Sequence, residues 1–152
     1  MKLKDNDKSK KPVSPENILP EINDKKFLNL YTSNIPAGFP SPAEDFMEKR
    51  LDLNDYLIKN QASTFLVRVK GNSMINAGIF DGDLLIIDRS IEARDGKIVL
   101  GVLNGEFTVK RINKKGKKLF LAPENEDFKP IEITEEMDFQ IWGVVTYSIH
   151  KP

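Results

Sequence analysis

The sequence contains no cysteine and only one histidine, and these two shortages exclude several kinds of chemistry. Without cysteine the chain can form neither a disulfide framework nor a thiolate metal site, and it has no thiol nucleophile. The histidine, His150, lies beside the C-terminus, where a fraying backbone would hold a catalytic base poorly. We therefore expect His150 to be a bystander, and we predict no metal site and no cofactor.

The chain also has no excess of charge and no long apolar run. Its 23 basic residues balance 23 acidic ones, so overall charge predicts binding to neither nucleic acid nor a membrane surface. No apolar run is long enough to span a bilayer, and the N-terminus lacks the apolar core of a signal peptide. At 152 residues the chain fits one domain with room for a tail, and we expect a soluble cytoplasmic protein.

The N-terminal part has little that could fold by itself. Residues 1–16 are rich in lysine, aspartate, asparagine and serine, which predicts disorder. Residues 18–31 are more apolar and suit an extended arm or a short strand. The segment ahead of Gly38 is too short and too often broken by proline for us to expect a helix-turn-helix domain.

A proline-rich stretch follows at residues 34–42, and it should remain extended and exposed. It contains the dipeptide Ala37-Gly38, whose small side chains would let a peptidase approach closely, although the same composition suits a plain linker. The apolar spacing of residues 42–59 predicts a helix with Ser41 as its N-cap, divided near residues 52–54 into two short helices.

From Thr64 onward the sequence is typical of β structure. Runs rich in β-branched and aromatic residues predict strands. Asn104-Gly105 is a strong signal for a tight hairpin between two of them. The predicted strands cover residues 64–69, 83–88, 97–103, 106–112, 118–121 and 139–149.

One hydroxyl group, that of Ser73, follows the first of these strands at a glycine turn, where a side chain can be presented in a cleft. A serine nucleophile needs a base, and with His150 disfavoured a lysine is the next candidate. Burial favours the neutral form of a lysine, and Lys110 lies inside a predicted strand. Both residues also have ordinary explanations, as a loop serine and as a lysine on a solvated strand face. Asp81 and Asp83 suit turn formation better than catalysis.

Several separated motifs in this order resemble the LexA/UmuD family of self-cleaving serine-lysine peptidases. They are Gly71-Asn72-Ser73-Met74-Ile75, Gly78-Ile79, the run from Asp81 to Ile86, and the run from Gly105 to Lys110. Residues 39–45 and 52–54 resemble the UmuD branch in particular, and the whole resemblance extends from about residue 37 to about residue 147. It implies a mainly β fold, like that of LexA and the signal peptidases, with a flexible N-terminal arm and one or two short helices.

The resemblance assigns roles to individual residues. Ser73 would be the nucleophile and Lys110 the general base, and the cut would fall between Ala37 and Gly38. An oxyanion formed on the Ala37 carbonyl would accept hydrogen bonds from the backbone N–H groups of Ser73 and Met74. Residues 1–37 would then be a flexible arm removed by self-cleavage, and residues 38–152 a β-rich peptidase domain.

The resemblance also implies partners. These are a second copy of the chain in a homodimer, a RecA filament on single-stranded DNA that induces cleavage, and a UmuC-like Y-family DNA polymerase that the cut dimer joins in error-prone translesion synthesis. Neither membrane association nor direct sequence-specific DNA binding is expected. Three alternatives remain: a LexA-like or phage repressor, which needs a helix-turn-helix; a signal-peptidase relative, which needs a membrane anchor; and a β-rich interaction module whose serine and lysine are incidental.

Overall fold

The computed structural model describes residues 25–31, 37–38 and 47–152, and nine strands and one short α-helix lie in these ranges. In chain order they are β1 (Phe27–Tyr31), β2 (Met47–Asp52), α1 (Leu53–Leu57), β3 (Thr64–Arg68), β4 (Leu84–Asp88), β5 (Ile98–Leu103), β6 (Glu106–Lys115), β7 (Lys118–Ala122), β8 (Ile131–Ile133) and β9 (Phe139–Ile149). The predicted mainly β fold is confirmed. The α-helix in these ranges has five residues, far fewer than the roughly 20 that a membrane-spanning helix needs.

Strands β3 to β9 form one antiparallel sheet in the order β3-β4-β9-β5-β6-β7-β8. The last strand of the chain therefore lies between β4 and β5. The predicted hairpin joins β5 to β6: Asn104 and Gly105 have φ angles of 49° and 84°. Two consecutive positive φ values are what a type I′ turn requires, which explains the Asn-Gly pair. The hairpin places β6, which carries Lys110, next to β5.

Strands β1 and β2 form a separate antiparallel pair, in which Phe27 lies opposite Asp52. Within the described residues, the predicted helix over residues 42–52 was wrong, because residues 47–52 pair with β1 instead. The expected cap Ser41 lies outside the described residues. Asp52 is the observed N-cap of α1, and its carboxylate accepts hydrogen bonds from the N–H groups of Asn54 and Asp55 at 2.8 and 3.3 Å. A short helix after residue 52 is confirmed.

The core of the large sheet lies beneath the turn that carries Ser73. One buried cluster consists of Met74, Ile79, Leu85, Ile87 and Leu100, and a second one of Val99, Ile112 and Val144. Met74 is 2% exposed and directly follows Ser73, so the turn is anchored in the core. Burial of a methionine side chain contributes about 1.5–3 kcal/mol to folding.

Two further differences between the predicted and the observed strands exceed one residue at a strand end. The short strand β8 was not predicted, and β6 continues to Lys115 rather than ending at Ile112. Residues 18–31 were expected to form an extended arm or a short strand, and β1 confirms the strand for residues 27–31. Residues 1–24, which include most of the predicted flexible arm, lie outside the described ranges.

Candidate active site

Ser73 lies in the connection between β3 and β4, in a turn whose shape depends on Gly71. That glycine has a φ of 97°, a conformation that residues with a Cβ rarely adopt, and its N–H donates to Asp81 Oδ1 at 2.6 Å. After Ser73, buried Met74 leads into a 3-10 turn at Ile75–Ala77. The turn is thus fixed on both sides of a half-buried serine.

Lys110 lies in β6, and its amino group reaches the hydroxyl of Ser73. Lys110 Nζ lies 2.9 Å from Ser73 Oγ, 3.0 Å from Thr108 Oγ1 and 3.0 Å from the carbonyl oxygen of Val109. Sequence reasoning predicted the first contact and missed the second. The spacing of Thr108 and Lys110 could have revealed it, because residues two apart in a strand share a face.

Burial lowers the pKa of the Lys110 amino group from its ordinary value, because desolvation disfavours the charged form. None of the ion pairs in the described part of the chain involves Lys110, so no carboxylate there offsets this effect. A neutral amine has two N–H donors and one lone pair. Thr108 and Val109 offer acceptors for the two donors, which leaves the lone pair to accept the hydroxyl proton of Ser73.

The pair lies in a cleft of about 510 Å³. Apolar side chains form much of its wall: Phe65, Val67, Val69, Leu100, Phe107, Val109 and Trp142. The rings of Phe107 and Trp142 meet edge to face, with centroids 5.0 Å apart, and both are exposed at the rim. Such walls reduce hydration near the lysine and offer a surface for apolar groups of a peptide.

The backbone N–H groups of Ser73 and Met74 were predicted to stabilise an oxyanion. Neither donates a hydrogen bond to another residue within the described ranges. Because these N–H groups belong to Ser73 itself and to the next residue, they could donate hydrogen bonds to an oxygen atom near Ser73 Oγ.

Ala37 and Gly38 form an exposed bend in the segment that connects β1 to β2. Neither residue lines the cleft. A Cβ added to Gly38 would have no heavy atom within 4 Å, so the space beside the Cα of Gly38 is open. The structure therefore brings Ser73 and Lys110 together and leaves the Ala37-Gly38 bond outside their cleft.

The single histidine takes part in a different cluster. His150 Nδ1 lies 2.7 Å from Asp83 Oδ1, and its ring packs on that of Phe80. Asp83 is 3% exposed and also accepts hydrogen bonds from the Phe80 N–H and the Ser148 hydroxyl. The Phe80 N–H is the largest cause that holds the pKa of the Asp83 carboxyl below its usual value. His150 thus links the end of β9 to the loop before β4 and does not line the cleft that contains Ser73 and Lys110.

Acidic residues near the site stabilise turns, as expected for Asp81 and Asp83. The Asp81 carboxylate accepts a hydrogen bond from the N–H of Gly71, and the Asp83 carboxylate accepts one from the N–H of Phe80. Within the described part of the chain, no three His, Asp or Glu side chains lie close enough together to bind a metal ion.

Comparison with known proteins identifies the family. The family model described as peptidase S24-like matches residues 29–146. The chain is 47% identical over 122 residues to Protein SamA of Salmonella typhimurium, covering 80% of this chain and 84% of that protein. It is 41% identical over 123 residues to Protein MucA of Escherichia coli, with the same two shares covered.

The LexA repressor of Bordetella avium is a more distant relative. It is 34% identical over 142 residues, which cover 90% of this chain and 65% of the repressor. The comparisons therefore favour the UmuD-like interpretation over the LexA-like repressor. The chain belongs to the peptidase S24-like family, as a UmuD-like, self-cleaving serine peptidase of SOS mutagenesis.

Proposed function

We propose that Ser73 and Lys110 form a catalytic dyad that cuts the chain between Ala37 and Gly38. The observation that supports this most strongly is the 2.9 Å contact between Lys110 Nζ and Ser73 Oγ at an apolar cleft. Lys110 is half-buried and has no carboxylate partner among the described residues, so it loses its proton more readily than an exposed lysine. A neutral lysine can then act as the base that a serine nucleophile requires.

In the proposed reaction the Ser73 hydroxyl attacks the carbonyl carbon of Ala37 while its proton passes to Lys110 Nζ. The backbone N–H groups of Ser73 and Met74 donate to the oxyanion of the tetrahedral intermediate. The Lys110 ammonium returns the proton to the nitrogen of Gly38, which leaves as a new N-terminus. Water, activated by the neutral Lys110, then hydrolyses the ester between Ala37 and Ser73.

Cleavage requires that the Ala37-Gly38 segment enter the cleft, and its exposed position outside the cleft suggests how cutting is restrained. Binding of a RecA filament on single-stranded DNA would favour the docked arrangement. The bond cut could belong to the same chain or to the second chain of a homodimer. In this proposal residues 1–37 are the removable arm and residues 38–152 the retained peptidase domain.

The retained domains would remain a homodimer and join a UmuC-like Y-family DNA polymerase during error-prone synthesis across lesions. The similarity to SamA and MucA over most of the chain supports this role more than a repressor role. Because the filament and the polymerase act on chromosomal DNA, we place the protein in the cytoplasm.

Intact-mass analysis of the purified protein at alkaline pH tests the dyad and the scissile bond together. The wild type should yield a fragment that begins at Gly38, because a larger share of Lys110 is neutral there. Ser73→Ala and Lys110→Ala should remain whole. A wild type that stays intact, or a variant that still cuts, would contradict the proposed dyad.

A parallel incubation at neutral pH with a RecA filament tests the trigger. The wild type should give the same fragment faster than without the filament, and single-stranded DNA alone is the control. Equal rates with the filament and with the control would argue against RecA as the inducer.

A further inference from the structure

The backbone of the Ser73 turn is held by a loop between β7 and β8. The N–H of Glu124 donates to the carbonyl oxygen of Ser73 at 2.8 Å, and the carbonyl oxygen of Glu124 accepts from the N–H of Asn76 at 2.8 Å. The side-chain amide of Asn125 donates to the carbonyl oxygen of Asn72, also at 2.8 Å. The backbone of Glu124 is therefore hydrogen-bonded to both Ser73 and Asn76. The position of Glu124 thus determines the position of the Ser73 turn.

The side chain of Glu124 connects the same loop to β6. Its carboxylate forms an ion pair with the guanidinium of Arg111, the residue directly after Lys110. Arg111 also donates to the carbonyl oxygen of Gly96 at 2.7 Å, which fixes its far end. Successive residues of a strand point to opposite faces. Lys110 therefore contacts Ser73 directly, whereas Arg111 is connected to the Ser73 turn through Glu124.

These contacts form a closed ring: Lys110 touches the Ser73 hydroxyl, Arg111 touches Glu124, and Glu124 touches the Ser73 backbone. We propose that Arg111 and Glu124 are a positioning pair that keeps the Ser73 hydroxyl at hydrogen-bond distance from Lys110. This inference rests on the proposed dyad. A hydrogen bond between an amine and a hydroxyl weakens sharply beyond about 3.2 Å, so even a small shift of the turn would separate nucleophile and base.

A pair that only stabilised the fold would have a different signature, and the chain offers a matched control. Lys118 and Glu132 form an ion pair of 2.9 Å between β7 and β8 of the same sheet. Neither residue lines the cleft, and neither is hydrogen-bonded to the Ser73 turn among the described residues. Removing this control pair tests the effect of losing an ion pair from the sheet without disturbing the turn.

The experiment compares Glu124→Ala with Glu132→Ala at alkaline pH in the absence of a RecA filament. Three quantities are measured: the rate of self-cleavage, the rate at which a fluorophosphonate probe labels Ser73, and the melting temperature. Glu124→Ala should lower both rates by the same factor, roughly ten- to a hundredfold, because displacement of a reacting group by about 1 Å has a cost of this size. Glu132→Ala should leave both rates unchanged.

Rescue separates positioning from stability. The double variant Arg111→Glu with Glu124→Arg restores an ion pair of reversed polarity and should recover most of both rates. If Glu124→Ala does not fold, Glu124→Gln replaces it, because it keeps the shape and both backbone hydrogen bonds while removing the charge.

Two results would overturn the positioning pair alone. One is equal rates in Glu124→Ala and Glu132→Ala. The other is slower self-cleavage with unchanged labelling of Ser73, which would place the defect in docking of the cleavage segment. Two other results would contradict the dyad and the positioning pair together. Either Ser73→Ala would still cleave itself, or the wild type would show neither self-cleavage nor labelling of Ser73.

Discussion

The rate of self-cleavage should rise with pH and level off below the ordinary lysine pKa of 10.5, because burial lowers the pKa of Lys110. Only the neutral amine can accept the Ser73 proton. At the ordinary lysine pKa, roughly one lysine in a thousand would be neutral near pH 7.4, and this share changes about tenfold per pH unit. We therefore expect the logarithm of the rate to increase with a slope of about one before the plateau.

The assay is a time course of intact mass across a pH series, without a RecA filament. Thermal unfolding at each pH is the control for loss of structure. A rate that is flat from about pH 7 to pH 9 and is the same in Lys110→Ala would refute the assignment, because a group other than Lys110 would then be the base. A plateau reached only at or above pH 10.5 would contradict the effect of burial on Lys110.

Three further predictions concern the scaffold of the site. Met74→Ala should lower the free energy of unfolding by about 2–5 kcal/mol in a urea titration, since it leaves a cavity beneath Ser73, and unchanged stability would contradict the anchoring role. The native pKa of Asp83 is below 3.8, so its stabilising contribution is complete above pH 3.8 and is lost as pH falls through the native value. When the pH is lowered, the free energy of unfolding should therefore decrease less in Asp83→Asn than in the wild type. An equal decrease in both proteins would refute this role of Asp83. Gly143→Ala should destabilise by about 1–3 kcal/mol in the same titration, because the new Cβ would lie 2.5 Å from Ile87 Cγ2; a neutral substitution would mean that β9 and β4 can separate.

The β part of the fold could be predicted because its signals are local. Asn104-Gly105 specifies a turn by its backbone requirements alone, and the alternation of the flanking strands follows from burial of one face. Residues 47–52 show the limit of such signals. Their apolar spacing suits a helix, but β1 offers a pairing partner that no local pattern reveals, and strand pairing determines the outcome.

The site divides in the same way. The motif resemblance predicted that Ser73 and Lys110 act together, and the alternation of side chains along a strand could have predicted the contact of Lys110 with Thr108. The role of Glu124 could not be predicted, because Glu124 follows a proline in an irregular loop and contacts the Ser73 turn through its backbone. Backbone contacts between distant segments depend on the tertiary fold and are not encoded in the residue type.

The most direct test of the central claim is to map where a fluorophosphonate probe binds. Activation of Ser73 by Lys110 predicts a single adduct on Ser73 in the wild type and its near absence in Lys110→Ala at the same pH. Peptide mass analysis after digestion reads out both. An adduct on a different serine, or equal labelling of Ser73 in Lys110→Ala, would contradict the serine-lysine dyad.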